Sequence, residues 1–153
     1  MAGDLYWANV GLALHLDDVG LTDIKGNAMT LTGVVRSSTE SKFGGYSAYF
    51  DGASELKNTL DLVPDISTGP FTAQFWVNPS TQTQTDSVVL AIQDVAIEYK
   101  PTGFSNGFVL SVSGVRTAFG VHPEGNWYYI SVVKNAPNVE VWIDGQLAYT
   151  YTA

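Results

Sequence analysis

The chain has 153 residues, enough for one domain with a sizeable core. Hydrophobic residues make up 45% and charged residues 14%, a balance that excludes a disordered chain. Fifteen acidic against seven basic residues give a net charge of −8, which argues against binding a nucleic-acid backbone or an anionic membrane surface.

Residues 1–9 read as an N-terminal arm carrying Tyr6 and Trp7. Two readings stand: the aromatics dock on their own domain, or they contact a neighbouring subunit. The opening MAGDLYWANV has no basic region followed by an apolar run, so it does not read as a signal peptide. The rest, 10–153, is expected to be one domain. Val10–Leu16 is the first predicted strand, with Leu12, Leu14 and Leu16 on one face. Ala28–Val35 is the second, with Met29, Leu31 and Val35 expected inward. A short strand, Tyr46–Phe50, is closed by Asp51-Gly52, a pair suited to a tight turn. Glu55–Leu62 reads as a strand or an irregular edge, and Pro64–Thr68 as a single helical turn.

Phe71–Pro79 is the clearest strand and is expected to lie centrally. Phe71, Ala73, Phe75 and Val77 face a core; Thr72, Gln74, Trp76 and Asn78 face away. Ser80–Asp86 reads as an exposed loop. Val88–Gln93 and Val95–Tyr99 are expected to pair through a turn near Asp94, and Gly107–Ser113 with Arg116–Val121 through Gly114. Trp127–Lys134 is a strong strand. Val139–Ile143 alternates, with Glu140 and Trp142 opposite Val139, Val141 and Ile143. Asp144-Gly145 turns the chain into a last strand, Gln146–Thr152. Many short strands with regular turn signals and no helical period give an all-β class, an antiparallel sandwich or barrel. The absence of cysteine removes disulfides and thiolate chemistry, and mildly favours a reducing assembly site or a bacterial or viral origin.

The order Leu12–Asp17 (LALHLD), Phe43–Ser47 (FGGYS), Tyr49–Gly52 (YFDG), Phe71–Pro79 (FTAQFWVNP), Trp127–Val132 (WYYISV) and Val141–Gly145 (VWIDG) resembles the concanavalin A-like lectin/glucanase superfamily. Within it, the chain looks most like laminin-G-like domains of bacteriophage tail and virion surface proteins. The resemblance implies a jelly-roll sandwich of two antiparallel sheets. It also implies glycan binding on one sheet or its rim loops, in some members with calcium. Two departures stand out. Relatives add a closing strand beyond the Asp-Gly hairpin, so the Gln146–Thr152 edge is expected to be covered by a partner or by the chain's own arm. No calcium-binding constellation matches the family's loop.

Glucanases of this superfamily carry alternate acids on one strand, and this chain does not. Glu140 and Asp144 are the nearest pair, about 13 Å apart along an extended strand, too far for a retaining mechanism. Asp17, Asp18 and Asp23 offer three acids where calcium takes six to eight oxygens. No cofactor is therefore expected, and no catalytic residue. Trp76, Tyr129 and Trp142 lie opposite their strands' aliphatic residues, and Tyr99 ends its strand where it could reach a rim. Aromatic faces stack on sugars and anchor protein interfaces. The expected role is a non-enzymatic virion component, a phage decoration or tail-associated protein assembled in the host cytoplasm and bound to other virion subunits. The alternative is a module that binds host-surface glycan.

Overall fold

The computed structural model describes residues 9–17, 20–58, 69–79, 87–92, 94–100 and 107–152. The arm with Tyr6 and Trp7, the Pro64–Thr68 turn and the Ser80–Asp86 loop lie outside the described residues. The chain divides into two units, Met1–Asp65 and Ile66–Ala153.

The first unit holds four short strands: β1 (Met29–Thr32), β2 (Val35–Ser37), β3 (Ser47–Tyr49) and β4 (Glu55–Asn58). β1 pairs antiparallel with β4, and β2 with β3. The expected run Ala28–Val35 is split at Gly33, whose φ of 69° breaks the extended chain. Leu31 and Val35, expected inward, are exposed. The expected strand Val10–Leu16 is a single bridge, Leu14 to Asp23. Its backbone is tied locally instead. Ala13 N donates to Asp23 Oδ1 at 2.7 Å, and Ile24 N donates to Ala13 O at 2.8 Å. The other Asp23 oxygen accepts Asn27 N at 3.0 Å. Burial raises the Asp23 pKa, but amide hydrogen bonds from Ala13, Asn27 and Lys25 outweigh it and hold the group below its ordinary value. Asp23 is thus occupied in bracing a turn.

The second unit holds β5 (Phe71–Val77), β6 (Ser87–Ile92), β7 (Val95–Tyr99), β8 (Phe108–Val112), β9 (Val115–Ala118), β10 (Tyr128–Asn135), β11 (Asn138–Ile143) and β12 (Gln146–Thr152). They form two antiparallel four-stranded sheets, in the orders β12-β11-β10-β5 and β6-β7-β8-β9. The chain is the antiparallel β-sandwich that its alternation predicts, with no α-helix among the described residues. Among those residues β5 has one strand neighbour, β10, so the sheet's centre falls on β10 and β11 and not on β5.

Alternation decides the core. β11 buries Val139, Val141 and Ile143, and β10 buries Ile130 and Val132. From the other sheet come Val95, Ile97, Leu110, Val112 and Phe108, all in the same cluster. Phe71, Phe75 and Val77 pack against it from β5. Fully burying each aliphatic side chain contributes roughly 1.5–3 kcal/mol. The two hairpin turns that set these registers use positive φ. Ser113-Gly114 joins β8 to β9 at 50° and 83°, and Asp144-Gly145 joins β11 to β12 at 50° and 80°. At one end of the sandwich Asp94 binds both Ser113 Oγ (3.0 Å) and Lys134 Nζ (3.4 Å), so one carboxylate ties a turn of one sheet to β10 of the other.

Candidate functional site

The opposite end of the sandwich gathers the aromatic residues. In the β10–β5 register Tyr129 stands directly across from Trp76, and their ring centroids are 5.2 Å apart at 38°. In the β10–β11 register Ser131 stands across from Trp142, which puts Trp142 diagonal to Tyr129 on the same face. Three residues predicted to face away from the core thus share one face of one sheet, on three adjacent strands. Trp76 is 37% exposed, and Tyr129 and Trp142 are half-buried. Gln74 and Thr72 continue the face along β5, and both are exposed.

One carboxylate lies beside these rings, and a second stands at the end of the sheet in the turn into β12. Glu140 shares the Trp142 face two residues away, and its Oε2 accepts the indole Nε1–H at 3.1 Å. That bond fixes how the indole is presented. Asp144 Oδ1 accepts Tyr129 N at 2.9 Å, and Asp144 N donates to Tyr129 O at 2.9 Å. The turn that starts β12 is therefore locked to the strand that carries Tyr129.

Beneath the rim the core ends in an aromatic cluster. Phe108 lies 5.0 Å from Tyr99, 5.7 Å from Tyr128 and 5.2 Å from His122, by ring centroids. His122 is also edge-on to Tyr128. Desolvation pushes the His122 pKa below its ordinary value, and the Asp144 carboxylate pulls it back only in part. Burial thus favours the neutral imidazole. A pocket of about 430 Å³ opens here between His122, Tyr128, Asp144, Gln146 and Leu147. Its size falls within the ~300–1,000 Å³ usual for small-ligand sites.

Tyr99 departs from its expected rim position. It is 4% exposed, because it shares the inward face of β7 with Val95 and Ile97. Its hydroxyl is used internally, donating to His122 O at 2.8 Å. Burial first, then the nearby Glu124 carboxylate, push its pKa up to about 12. His122, Asp144 and Gln146 were not singled out for a site by sequence reasoning. By sequence Asp144 is a turn residue and the distant partner of Glu140 in an acid pair too widely spaced for catalysis, and the loop before β10 carries no signal that it folds back over the core. Among the described residues no group of three His, Asp or Glu side chains could hold a metal ion.

No protein-family model and no curated protein matches the chain. Among solved structures it is similar to domain 4 of AbnA, a GH43 extracellular arabinanase from Geobacillus stearothermophilus, in complex with arabinotriose. The TM-score is 0.56 at 21% sequence identity, covering 85% of this chain and 68% of that one. At that identity the likeness establishes the fold.

Proposed function

We propose that the chain is a glycan-binding module that presents Trp76, Tyr129 and Trp142 to a saccharide and performs no chemistry on it. The observation that carries this reading is the gathering of three aromatic rings on one face of adjacent strands, bordered by hydrogen-bonding side chains. Sugar rings pair an apolar face with a hydroxyl rim, and this arrangement offers the complement of both. The structurally similar arabinanase domain, solved with arabinotriose, adds support and suggests arabino-oligosaccharides as first probes. Isothermal titration with arabino-oligosaccharides and a panel of surface polysaccharides tests the proposal. Binding should be saturable and should weaken at least tenfold in Trp142→Ala. An intact chain that binds none of them would end it. Incubation with arabinan, laminarin, agarose and mixed β-glucans should release no reducing ends; release that disappears in Glu140→Gln would overturn the non-enzymatic reading.

A second reading, contact with other subunits of a phage-like particle, draws on the first unit. Phe43, Val35 and Tyr49 are 61%, 54% and 45% exposed there. Apolar side chains left at a surface in such numbers are a common mark of protein contacts. Size-exclusion chromatography with light scattering on the isolated chain, and on the chain mixed with particle subunits, separates the two readings.

A further inference from the structure

We infer that the saccharide held by this face is uncharged, and that Glu140 and Asp144 set the preference. The inference rests on the glycan-binding reading above and deepens it.

The second unit contains three basic side chains, Lys100, Arg116 and Lys134. Each is held by a carboxylate. Lys100 pairs with Glu124, Arg116 with Glu98 at 2.9 Å, and Lys134 with Asp94 at 3.4 Å. Uronate, sulfate and phosphate groups are recognised chiefly by Arg or Lys as charged donors. Here, engaging any of the three would break an existing pair. For Arg116 it would also strand Glu98, whose side chain is 6% exposed.

The charges beside the rings are of the other sign. Glu140 gives Oε2 to the Trp142 indole, and its Oε1 accepts no hydrogen bond from the described residues. Asp144 gives Oδ1 to Tyr129 N, and its Oδ2 accepts none from them either. Each carboxylate therefore keeps an oxygen able to accept a ligand hydroxyl, and an ionised carboxylate is purely an acceptor. A neutral sugar meets stacking surfaces and acceptors for its hydroxyls. An anionic sugar meets the Glu140 carboxylate beside the rings and Asp144 at the end of the sheet, with each of the unit's three cations paired to a carboxylate.

The test pairs each neutral oligosaccharide of an arabino-, gluco- and galacto- series with the same chain carrying carboxylates from oxidation of its primary hydroxyls. Titration calorimetry at low ionic strength should give the neutral member of any bound pair at least tenfold tighter binding. Raising salt should narrow that gap, because screening weakens repulsion between exposed charges. Glu140→Gln and Asp144→Asn should narrow it too, read as the ratio of the two affinities within each variant, whatever either change does to neutral binding. Both variants keep an oxygen to accept the indole or Tyr129 N–H, and asparagine tolerates the positive φ at 144. The salt arm uses the unaltered protein, so the test survives a variant that fails to fold. Equal or tighter binding of oxidised chains, or a gap that ignores both salt and the variants, overturns the inference and leaves glycan binding standing. Failure of both members of every pair overturns the glycan-binding reading itself.

Discussion

Phe75 and Trp76 are neighbours on one strand with opposite environments, and truncating each in turn separates stability from binding. Phe75 is half-buried and packs against the core shared by both sheets. Phe75→Ala removes most of a ring from that packing, and such changes cost about 3–5 kcal/mol. Its residual exposure puts the expected loss near the lower end, about 3 kcal/mol. Trp76 is 37% exposed and meets Tyr129 at a centroid distance of 5.2 Å. Losing that aromatic pair costs about 0.5–1.5 kcal/mol. Counting also the apolar area the indole covers, which the pair energy leaves out, Trp76→Ala should lower stability by about 2 kcal/mol, less than Phe75→Ala, and weaken saccharide binding by roughly tenfold, a loss near 1.4 kcal/mol. Urea denaturation gives the first quantity and calorimetric titration the second. Equal, large stability losses for the two variants, or unchanged binding in Trp76→Ala, would refute the assignment of the two faces.

His122 has a folded-state pKa below its unfolded value of about 6.5, so the unfolded chain binds more protons between those values. Stability should accordingly be full above pH 6.5 and decline as pH falls through 6.5; the decline should vanish in His122→Phe, read by thermal melting across pH 5–8. The His122 Nδ1 is enclosed and has no partner among the described residues, so His122→Phe should also raise stability at pH 7 by about 1 kcal/mol, measured by urea titration. Arg116→Ala should cost about 2–3 kcal/mol in the same assay, because it leaves Glu98 buried and unpaired; the exposure of Arg116 holds this below the ~3–5 kcal/mol of a fully buried pair.

Strand periodicity made the second unit legible. Val139, Val141 and Ile143 are buried and Trp142 is turned away, as alternation requires. The turn at Asp144-Gly145 carries residues that positive φ favours, and Gly114 does the same for the β8–β9 turn. The same reasoning placed Trp76, Tyr129 and Trp142 away from the core, but only the register between strands shows that they share one face. Tyr99 was misplaced because the end of a strand need not be a rim: the loop containing His122 folds over it and takes its hydroxyl. The first unit was read poorly for a different reason. Leu12, Leu14 and Leu16 alternate like a strand, yet the neighbouring backbone is satisfied by the Asp23 side chain, and periodicity carries no signal for that. His122 lacks a sequence signature because its environment comes from Phe108, Phe119 and Tyr128, contributed by separate segments.

The most direct test of saccharide binding at the aromatic end is a nuclear magnetic resonance titration of the intact chain with an arabino-oligosaccharide. The Trp142 indole N–H, bonded to Glu140, gives a resolved reporter, and the Tyr129 and Asp144 amides report on the turn beside it. The account predicts saturable shifts of these signals and of Trp76, with the same dissociation constant from each. The Asp94 end of the sandwich should remain unperturbed. Saturable shifts confined to the Asp94 end, with Trp76, Tyr129 and Trp142 unchanged, would contradict it.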